Sequence, residues 1–252
     1  MILVFEKFTK FGAGMILFVE NNMPGERHKA INQALVKVFS EVFNGEGAGI
    51  ACSESHYRLC LQDSNDINFR LTLKVFDPTE KAKKYFYELV SFFRIFRLLK
   101  KEKFRKIVFL SLSPVSHFFL RVLAFIGIIN IDVFVIFHGE LSFLAQNSRN
   151  PLRPGFWMKR AFNIRNGKAK VEYIVLSEHI RIPSVLDESC IIKINHPVIF
   201  SNDFVFSKGP EEYPLNVGLL GSASLRKGSD RFFKISDVFR NDPDFRFYVS
   251  GS

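Results

Sequence analysis

Residues 106–140, KIVFLSLSPVSHFFLRVLAFIGIINIDVFVIFHGE, decide the fold of this chain. The two apolar runs at 107–112 and 131–137 are typical of strands that are buried on both faces of a sheet. The segment between them opens with Ser113-Pro114, and proline at a first helical position predicts a helix there. A strand, a helix and a second strand in this order predict the crossover unit of a parallel sheet.

The same alternation extends in both directions from this unit. We predict further strands at 15–20, 49–52, 57–61, 69–76, 171–176 and 190–194, and further helices at 28–43, 79–103 and 157–162. These patterns indicate an α/β protein whose parallel sheet is covered on both faces. Residues 118–137 are long enough to span a membrane, but Arg121, Asn130 and Asp132 interrupt them. We therefore interpret that stretch as helix, turn and buried strand.

A polar stretch at residues 201–214 marks the boundary between two predicted domains. Residues 1–200 form a nearly complete Rossmann-like domain. Residues 215–252 begin a second one, with a strand at 216–220, a helix at 229–239 and a strand at 245–249. A single unit of about forty residues cannot bury both faces of a parallel sheet. We therefore expect the second domain to be incomplete in this chain.

Composition bounds the partners and the compartment. The 252 residues carry 35 Lys and Arg against 25 Asp and Glu, a net charge of +10 that suits a phosphate-bearing partner or an anionic membrane. An AT-rich coding sequence, which enriches Phe, Ile, Lys and Asn together, explains the same composition without a ligand. Three cysteines without CxxC spacing support neither a disulfide framework nor a zinc site. We therefore expect no metal. Since no secretory signal pattern is evident, we also expect a reduced, cytoplasmic protein.

Polar residues follow four of the predicted strands, and ligands of open parallel sheets bind at the carboxyl ends of strands. The carboxyl ends of parallel strands lie at one edge, so we expect these residues to lie together. They are Gly25, His138, Gly139, Glu140, Ser177, Glu178 and the loop at 221–228.

His138 is the candidate general base, because an unperturbed imidazole titrates near pH 6.5 and accepts a proton at neutral pH. Gly139 beside it would let a substrate approach the backbone closely. The alternative is a histidine whose ring is satisfied by backbone at the strand end. His28, His56 and His117 share no metal-binding spacing, and we assign them no role.

The loop GSASLRKG at 221–228 lies between a predicted strand and a predicted helix. Lys227 and the backbone N–H groups at the start of that helix suit a diphosphate. The loop matches neither the dinucleotide fingerprint nor the P-loop pattern. An ordinary surface loop is the alternative. Asp242-Pro243-Asp244 has the letters of an Asp-x-Asp metal motif, but its position before a strand favours a turn.

On these motifs the chain resembles bacterial glycosyltransferases of the GT-B fold, and family 4 in particular. Their second domain opens with a strand, Gly-Arg, four variable residues and Lys-Gly, in which Arg and Lys hold the donor diphosphate. VGLLGSASLRKG at 217–228 fits this frame, with Ser222 at the arginine position and Arg226 as a nearby substitute. YIVLSEHI at 173–180 is similar to the strand-Ser-Glu element late in the family's first domain, and KINHPVIF at 193–200 resembles the Asn-Pro or His-Pro segment that leads into the second domain.

The resemblance implies a GT-B-like fold and a hexosyltransferase-like activity in bacterial surface polysaccharide assembly. A sugar would move from a nucleotide-diphosphate sugar to a sugar or lipid-linked acceptor, with His138 as the catalytic residue and no cofactor. The family binds the ribose through a Glu-x7-Glu element further along, which this chain lacks, so we expect the fragment itself to be inactive. The implied substrate-binding residues are Gly25, Gly139, Glu140, Ser177, Glu178, Gly221, Ser222, Arg226 and Lys227.

A second hypothesis comes from residues 81–106, which hold ten Lys or Arg against two Glu and many aromatic residues. A basic, aromatic amphipathic helix can lie in the headgroup region of an anionic bilayer. On this view the chain is a non-catalytic membrane-surface binding protein. A sheet-covering helix with a solvated basic end is the ordinary alternative. No nucleic-acid-binding module is present, so we expect no nucleic acid partner.

Overall fold

A computed structural model describes residues 15–26, 28–42, 47–62, 67–75, 81–102, 104–145, 149–167, 169–177, 180, 182–184, 186–194, 215–220 and 229–250. By its internal contacts the chain divides into two units, Met1–Ile199 and Phe200–Ser252. The polar stretch at 201–214 and the loop at 221–228 lie outside the described residues.

The first unit holds a seven-stranded parallel sheet in the order β3-β2-β1-β4-β5-β6-β7. Its strands are β1 (Met15–Glu20), β2 (Ala48–Cys52), β3 (Ile67–Thr72), β4 (Phe104–Ser111), β5 (Asp132–Phe137), β6 (Val171–Val175) and β7 (Ile191–Lys193). Its helices are α1 (Lys29–Val42), α2 (Glu54–His56), α3 (Lys81–Lys101), α4 (Pro114–Phe125) and α5 (Pro154–Asn163). Short 3-10 helices lie at Glu140–Ala145 and Glu188–Cys190.

Helices cover both faces of this sheet. On one face, Leu17 and its neighbours pack against α3, α4 and α5 through residues such as Phe92, Leu120 and Met158. On the other, Phe18 and its neighbours pack against α1 through residues such as Phe39. Successive strand residues point to opposite faces, so continuous apolar runs are needed where both faces are buried. The predicted α/β, Rossmann-like fold is confirmed.

The unit at 106–140 has the predicted form of β4, α4 and β5. Ser113 caps α4, because its Oγ accepts a hydrogen bond from the Ser116 amide at 3.2 Å, and Pro114 occupies the first turn. Residues 118–137 are helix, turn and buried strand, as predicted. Among the described residues, no helix combines the length and the apolar character that crossing a membrane requires.

The strand predicted at 57–61 is wrong. These residues form a π-helical turn, Tyr57–Leu61, which continues directly from α2. Cys60 and Leu61 pack against α1, and the Gln33 side chain donates to the Cys60 carbonyl at 2.7 Å. The apolar residues at positions 57, 60 and 61 have helical spacing, so they lie on one side of a helix. In a strand, residues 60 and 61 would point to opposite faces.

The second unit contains β8 (Leu215–Leu220), α6 (Ser229–Val238) and β9 (Phe245–Ser250), and the two strands pair in parallel. Its apolar residues stay largely uncovered, with Val238 77% exposed and Val249 54% exposed. Asp242-Pro243-Asp244 is a turn, as predicted, in which Asp242 Oδ1 accepts from the Asp244 amide at 2.9 Å.

His117 is a fully buried polar group between α4 and the sheet. Its Nε2 lies 3.0 Å from the Tyr173 hydroxyl, and its Nδ1 lies 3.4 Å from Met158 Sδ. Burial lowers the pKa of His117 to about 3, with a smaller contribution from the charge of Arg121. The ring is therefore neutral in the folded protein at neutral pH.

This neutral histidine predicts an acid-sensitive stability. Below about pH 6.5, His117 is protonated in the unfolded chain but stays neutral in the folded protein. The free energy of unfolding should therefore fall by up to about 1.4 kcal/mol per pH unit as the pH is lowered. The fall should continue until the pH approaches the folded pKa of about 3.

The measurement is urea unfolding of the wild type and of His117→Gln at about pH 7 and about pH 5. Carboxylates titrate in both proteins, so their effect cancels in the difference. The stability advantage of the wild type should shrink on acidification. A difference that stays constant with pH would contradict the neutral buried histidine.

Candidate functional site

The strand order reverses between β1 and β4, and ligands of such sheets bind beyond the carboxyl ends of strands at this switch point. The segment after β1 contains Gly25 and His28, the segment after β4 contains Ser113, and the segment after β5 contains His138. Parallel pairing of β1, β4 and β5 brings these three segments to one edge of the sheet.

Glu20, the last residue of β1, organises this edge from a fully buried position. Its Oε1 accepts from the amides of Asn22 and Met23 at 3.2 and 3.0 Å and from the Ser111 hydroxyl on β4. Its Oε2 accepts from the Asn32 side chain on α1 at 3.1 Å. One carboxylate therefore ties β1, β4, α1 and the turn after β1 together.

Asn32 connects Glu20 to His56, and His56 connects in turn to Gly25, through hydrogen bonds. Its Nδ2 lies 3.2 Å from His56 Nε2, and His56 Nδ1 lies 2.8 Å from the Gly25 carbonyl oxygen. A carbonyl only accepts, so we assign the proton to Nδ1 and leave Nε2 to accept from Asn32. His56, for which no role was predicted, thus fixes the loop that carries Gly25. Gly25 has φ +67°, a conformation that favours glycine.

A second buried carboxylate joins α3 and α4 to the same edge. Glu88 Oε2 accepts from the hydroxyls of Ser113 and Ser116. Lys84 Nζ lies 3.8 Å from Glu88 Oε1 and donates to Asn22 Oδ1 in the loop after β1. Burial raises the pKa of Glu88, while the two serine hydroxyls and Lys84 oppose that rise. This network could not be predicted from the sequence because its members, from Asn22 to Ser116, are far apart in the chain.

His138 lies at the end of β5 with its two ring nitrogens in different environments. Its Nε2 lies 2.7 Å from the Leu110 carbonyl oxygen, so we assign the ring proton to Nε2. In the neutral ring Nδ1 then carries a lone pair, and among the described residues no side chain or backbone group hydrogen-bonds it. Glu140 Oε2 accepts from the amides of His138 and Gly139 at 2.6 and 3.0 Å, which holds the turn in place.

His28 stacks on His138. The ring centroids are 4.3 Å apart and the ring planes differ by 18°. His28 directly precedes α1 and has φ +63°, a left-handed conformation that is uncommon outside glycine. Strained residues of this kind cluster at functional sites. His28 was not among the predicted site residues, although its position after the polar turn that ends β1 was an available signal.

The structure brings Gly25, Gly139, Glu140 and His138 to this edge, and Ser177 follows β6, the neighbour of β5. Gly139 has φ +148°, and a Cβ at Gly25 or Gly139 would meet no heavy atom within 4 Å, so both glycines border open space. The predicted substrate-binding residues Glu178, Gly221, Ser222, Arg226 and Lys227 lie outside the described residues.

A cavity of about 610 Å³ lies near the carboxyl ends of β2 and β3, at the same edge. It is open to solvent and is large enough for a sugar-sized group. This cavity was not predicted from the sequence. Its lining residues are Ser53, Glu54, Ser55, Arg58, Leu59, Leu73, Lys74 and Val75.

Among solved structures, the chain is similar to the glycotransferase of kitacinnamycin, with a TM-score of 0.53 and 12% sequence identity over 94% of this chain and 66% of that one. The chain has a GT-B glycosyltransferase-like fold. It also matches MurG of Acinetobacter baumannii, with a TM-score of 0.45 and 12% identity over 94% of this chain and 65% of that one. No family model and no curated protein matches it.

The chain therefore spans about two thirds of the length of these two proteins. At 12% identity the likeness shows the fold, whereas membership of family 4 stays a prediction.

The Glu20 network predicts protection of the loop after β1. In Glu20→Gln, one carboxylate oxygen is replaced by an amide NH2 group, which cannot accept a hydrogen bond. One of the donors that bond to Glu20 would therefore lose its acceptor. We expect the amides of Asn22 and Met23 to exchange with solvent roughly tenfold faster, a loss of about 1.4 kcal/mol of local stability.

Hydrogen exchange followed by mass spectrometry measures this effect. Arg58→Gln, which changes an exposed side chain bonded to Glu54, is the control and should leave the 21–28 segment unchanged. Unaltered exchange of that segment in Glu20→Gln would show that the carboxylate does not hold the loop.

Proposed function

We propose that this protein is a glycosyltransferase that moves a sugar from a nucleotide-diphosphate sugar to a sugar or lipid-linked acceptor. The observation that supports the proposal most directly is the environment of the His138 ring. Its protonated Nε2 lies at the Leu110 carbonyl, its Nδ1 lone pair has no partner among the described residues, and it lies at the switch-point edge of a glycosyltransferase-like fold.

In this proposal Nδ1 of His138 takes the proton from the acceptor hydroxyl as that oxygen attacks the anomeric carbon of the donor. The bond between that carbon and the diphosphate oxygen breaks, and the nucleoside diphosphate leaves with the electron pair. The Leu110 carbonyl, which accepts from Nε2, keeps the ring proton on that nitrogen and leaves Nδ1 to act as the base. Glu140 holds the backbone turn, and the stacked ring of His28 fixes the plane of His138.

The loop at 221–228 supplies the donor side of the proposal. Lys227, Arg226 and the backbone after Gly221 would offset the charge that develops on the departing diphosphate, with Ser222 where the family has an arginine. Fixed cations of this kind serve the leaving group without a cofactor. Bacterial surface polysaccharide assembly is the setting that we infer from the sequence resemblance.

Variants of the two stacked histidines test the proposal. His138→Gln should lower kcat by roughly 10²–10⁴ with little change in donor KM, because a general base is lost. His28→Phe keeps a stacked ring without nitrogens and should leave kcat within about threefold, whereas His28→Ala, which loses the stack, should lower it.

The measurement is release of nucleoside diphosphate from a panel of nucleotide sugars, using the protein with all of the sequence that its gene encodes. Retention of full activity by His138→Gln would refute the assignment of the base. If His28→Phe were as inactive as His138→Gln, the role of His28 would extend beyond its stacking contact, and the assignment of the base to His138 alone would be wrong.

A specific observation supports a second function, binding to an anionic membrane surface on the cytoplasmic side. Phe86 and Phe93 on α3 are 62% and 75% exposed. They are seven residues apart and therefore lie on one side of the helix. Exposed cations follow on the same helix at Arg94, Arg97, Lys100 and Lys101. Apolar rings flanked by cations suit the headgroup region of an anionic bilayer, where a lipid-linked acceptor would be found.

Vesicle sedimentation tests this second function. Phe86→Ser combined with Phe93→Ser should remove binding to vesicles of phosphatidylglycerol and phosphatidylcholine, and about 1 M salt should weaken wild-type binding. Phe125→Ser, which changes a side chain that is 53% exposed on α4, is the matched control and should bind like the wild type. Equal binding of all three proteins would refute the assignment to α3.

A further inference from the structure

A cavity of about 220 Å³ lies away from the switch-point edge, between the end of α5, the body of α4 and the start of β7. It is smaller than the pockets of roughly 300–1,000 Å³ that hold drug-sized ligands, and its size suits a small polar molecule. The residues that line it are Arg121, Phe162, Ile164, Arg165, Asn166, Tyr173, Leu186, Asp187 and Cys190.

Arg121 gives this cavity its chemical character. The side chain is 6% exposed, so its charge is almost fully removed from water. Its Nη1 donates to Asn166 Oδ1 at 2.7 Å, its Nη2 donates to the Ile164 carbonyl, and its Nε donates to the Ala161 carbonyl at 3.4 Å. All three acceptors are neutral, and no carboxylate of the described residues lies within 4 Å of the guanidinium. A buried charge without a counter-ion is costly.

The local structure compensates this charge in part. The carbonyls of Ala161 and Ile164 lie at the carboxyl end of α5, where a helix presents about half a unit of negative charge. Among the described residues, no carboxylate lies close enough to balance the remaining positive charge. Asp187 also lines the cavity, but it is exposed, and its pKa is lowered by the hydroxyl and the amide of Ser189. Arg165 adds a second cation at the cavity.

The residues around Arg121 are closely packed. A Cβ on Gly167 would lie 2.4 Å from the Phe125 Cα, so the loop after α5 packs backbone to backbone against the end of α4. Phe162 packs on Tyr173 with ring centroids 5.2 Å apart, and the Tyr173 hydroxyl lies at His117 Nε2. Burial raises the pKa of Tyr173, so its phenol stays neutral. The cavity therefore combines a fixed guanidinium, an amide and two aromatic rings.

We propose that this cavity binds a small phosphate-bearing molecule, with the phosphate held by Arg121 and Arg165 and the rest of the molecule against Phe162 and Tyr173. The planar guanidinium fork matches two phosphate oxygens, and two cations suit a dianion better than a single carboxylate. Because the cavity lies apart from His138, this site is independent of the proposed transferase reaction.

The test uses inorganic phosphate as the probe in isothermal titration calorimetry and in thermal unfolding, with chloride and acetate at equal ionic strength. We expect saturable phosphate binding that neither chloride nor acetate reproduces. Arg165→Ala should weaken it roughly tenfold, and Asp187→Asn should strengthen it a few fold, because the first removes a cation and the second removes a repelling anion. Both side chains are exposed, so neither change should disturb folding.

Arg121→Met should abolish the binding, and Arg121→Lys, which keeps the charge and loses the fork, should weaken it. Lys227→Ala is the control for phosphate bound at the proposed donor loop and should leave the affinity unchanged.

Three results would overturn the proposal: phosphate stabilisation that does not saturate, an affinity lost in Lys227→Ala, or Arg165→Ala and Asp187→Asn variants that bind like the wild type. If Arg121→Met fails to fold, the opposite shifts expected for Arg165→Ala and Asp187→Asn still decide the question.

Discussion

The candidate site depends on the buried carboxylate of Glu20 at the end of β1. Its two oxygens accept hydrogen bonds from the turn after β1, from β4 and from α1, so three elements are fixed relative to one another by one side chain. Several buried donors therefore depend on a single acceptor group, and leaving them unpaired would cost free energy. Through Asn32 and His56 the same constraint reaches the Gly25 carbonyl and sets the loop that ends at His28.

The chemistry of the edge follows from this scaffold. His138 has one nitrogen committed to a backbone carbonyl and the other available, and its ring plane is set by contact with His28. Precise placement of such a group by rigid elements is what proton transfer in a transition state requires. Arg121 is a contrasting case, because its charge is buried against neutral carbonyls in a separate cavity and its chemistry favours binding an anion.

Much of the fold could be predicted because it rests on local patterns. Apolar runs marked β4 and β5, and Ser113-Pro114 marked the start of α4. The prediction failed at 57–61, where five residues gave too short a pattern to separate strand from helix. For the site, the polar ends of the strands pointed to His138 and Gly25. His28 also follows a predicted strand, but its contact with His138 depends on the position of a ring from another segment.

The sequence by itself determined the α/β class, most of the order of strands and helices, and the sheet edge that carries the candidate site, because period-two burial and the parallel crossover follow from local residue patterns. Only the tertiary structure decided which polar groups meet there. Glu20 with Ser111, Glu88 with Ser113, and His28 with His138 are distant in the chain. Their contacts depend on strand register and helix packing, which are fixed by the complementary fit of the whole core.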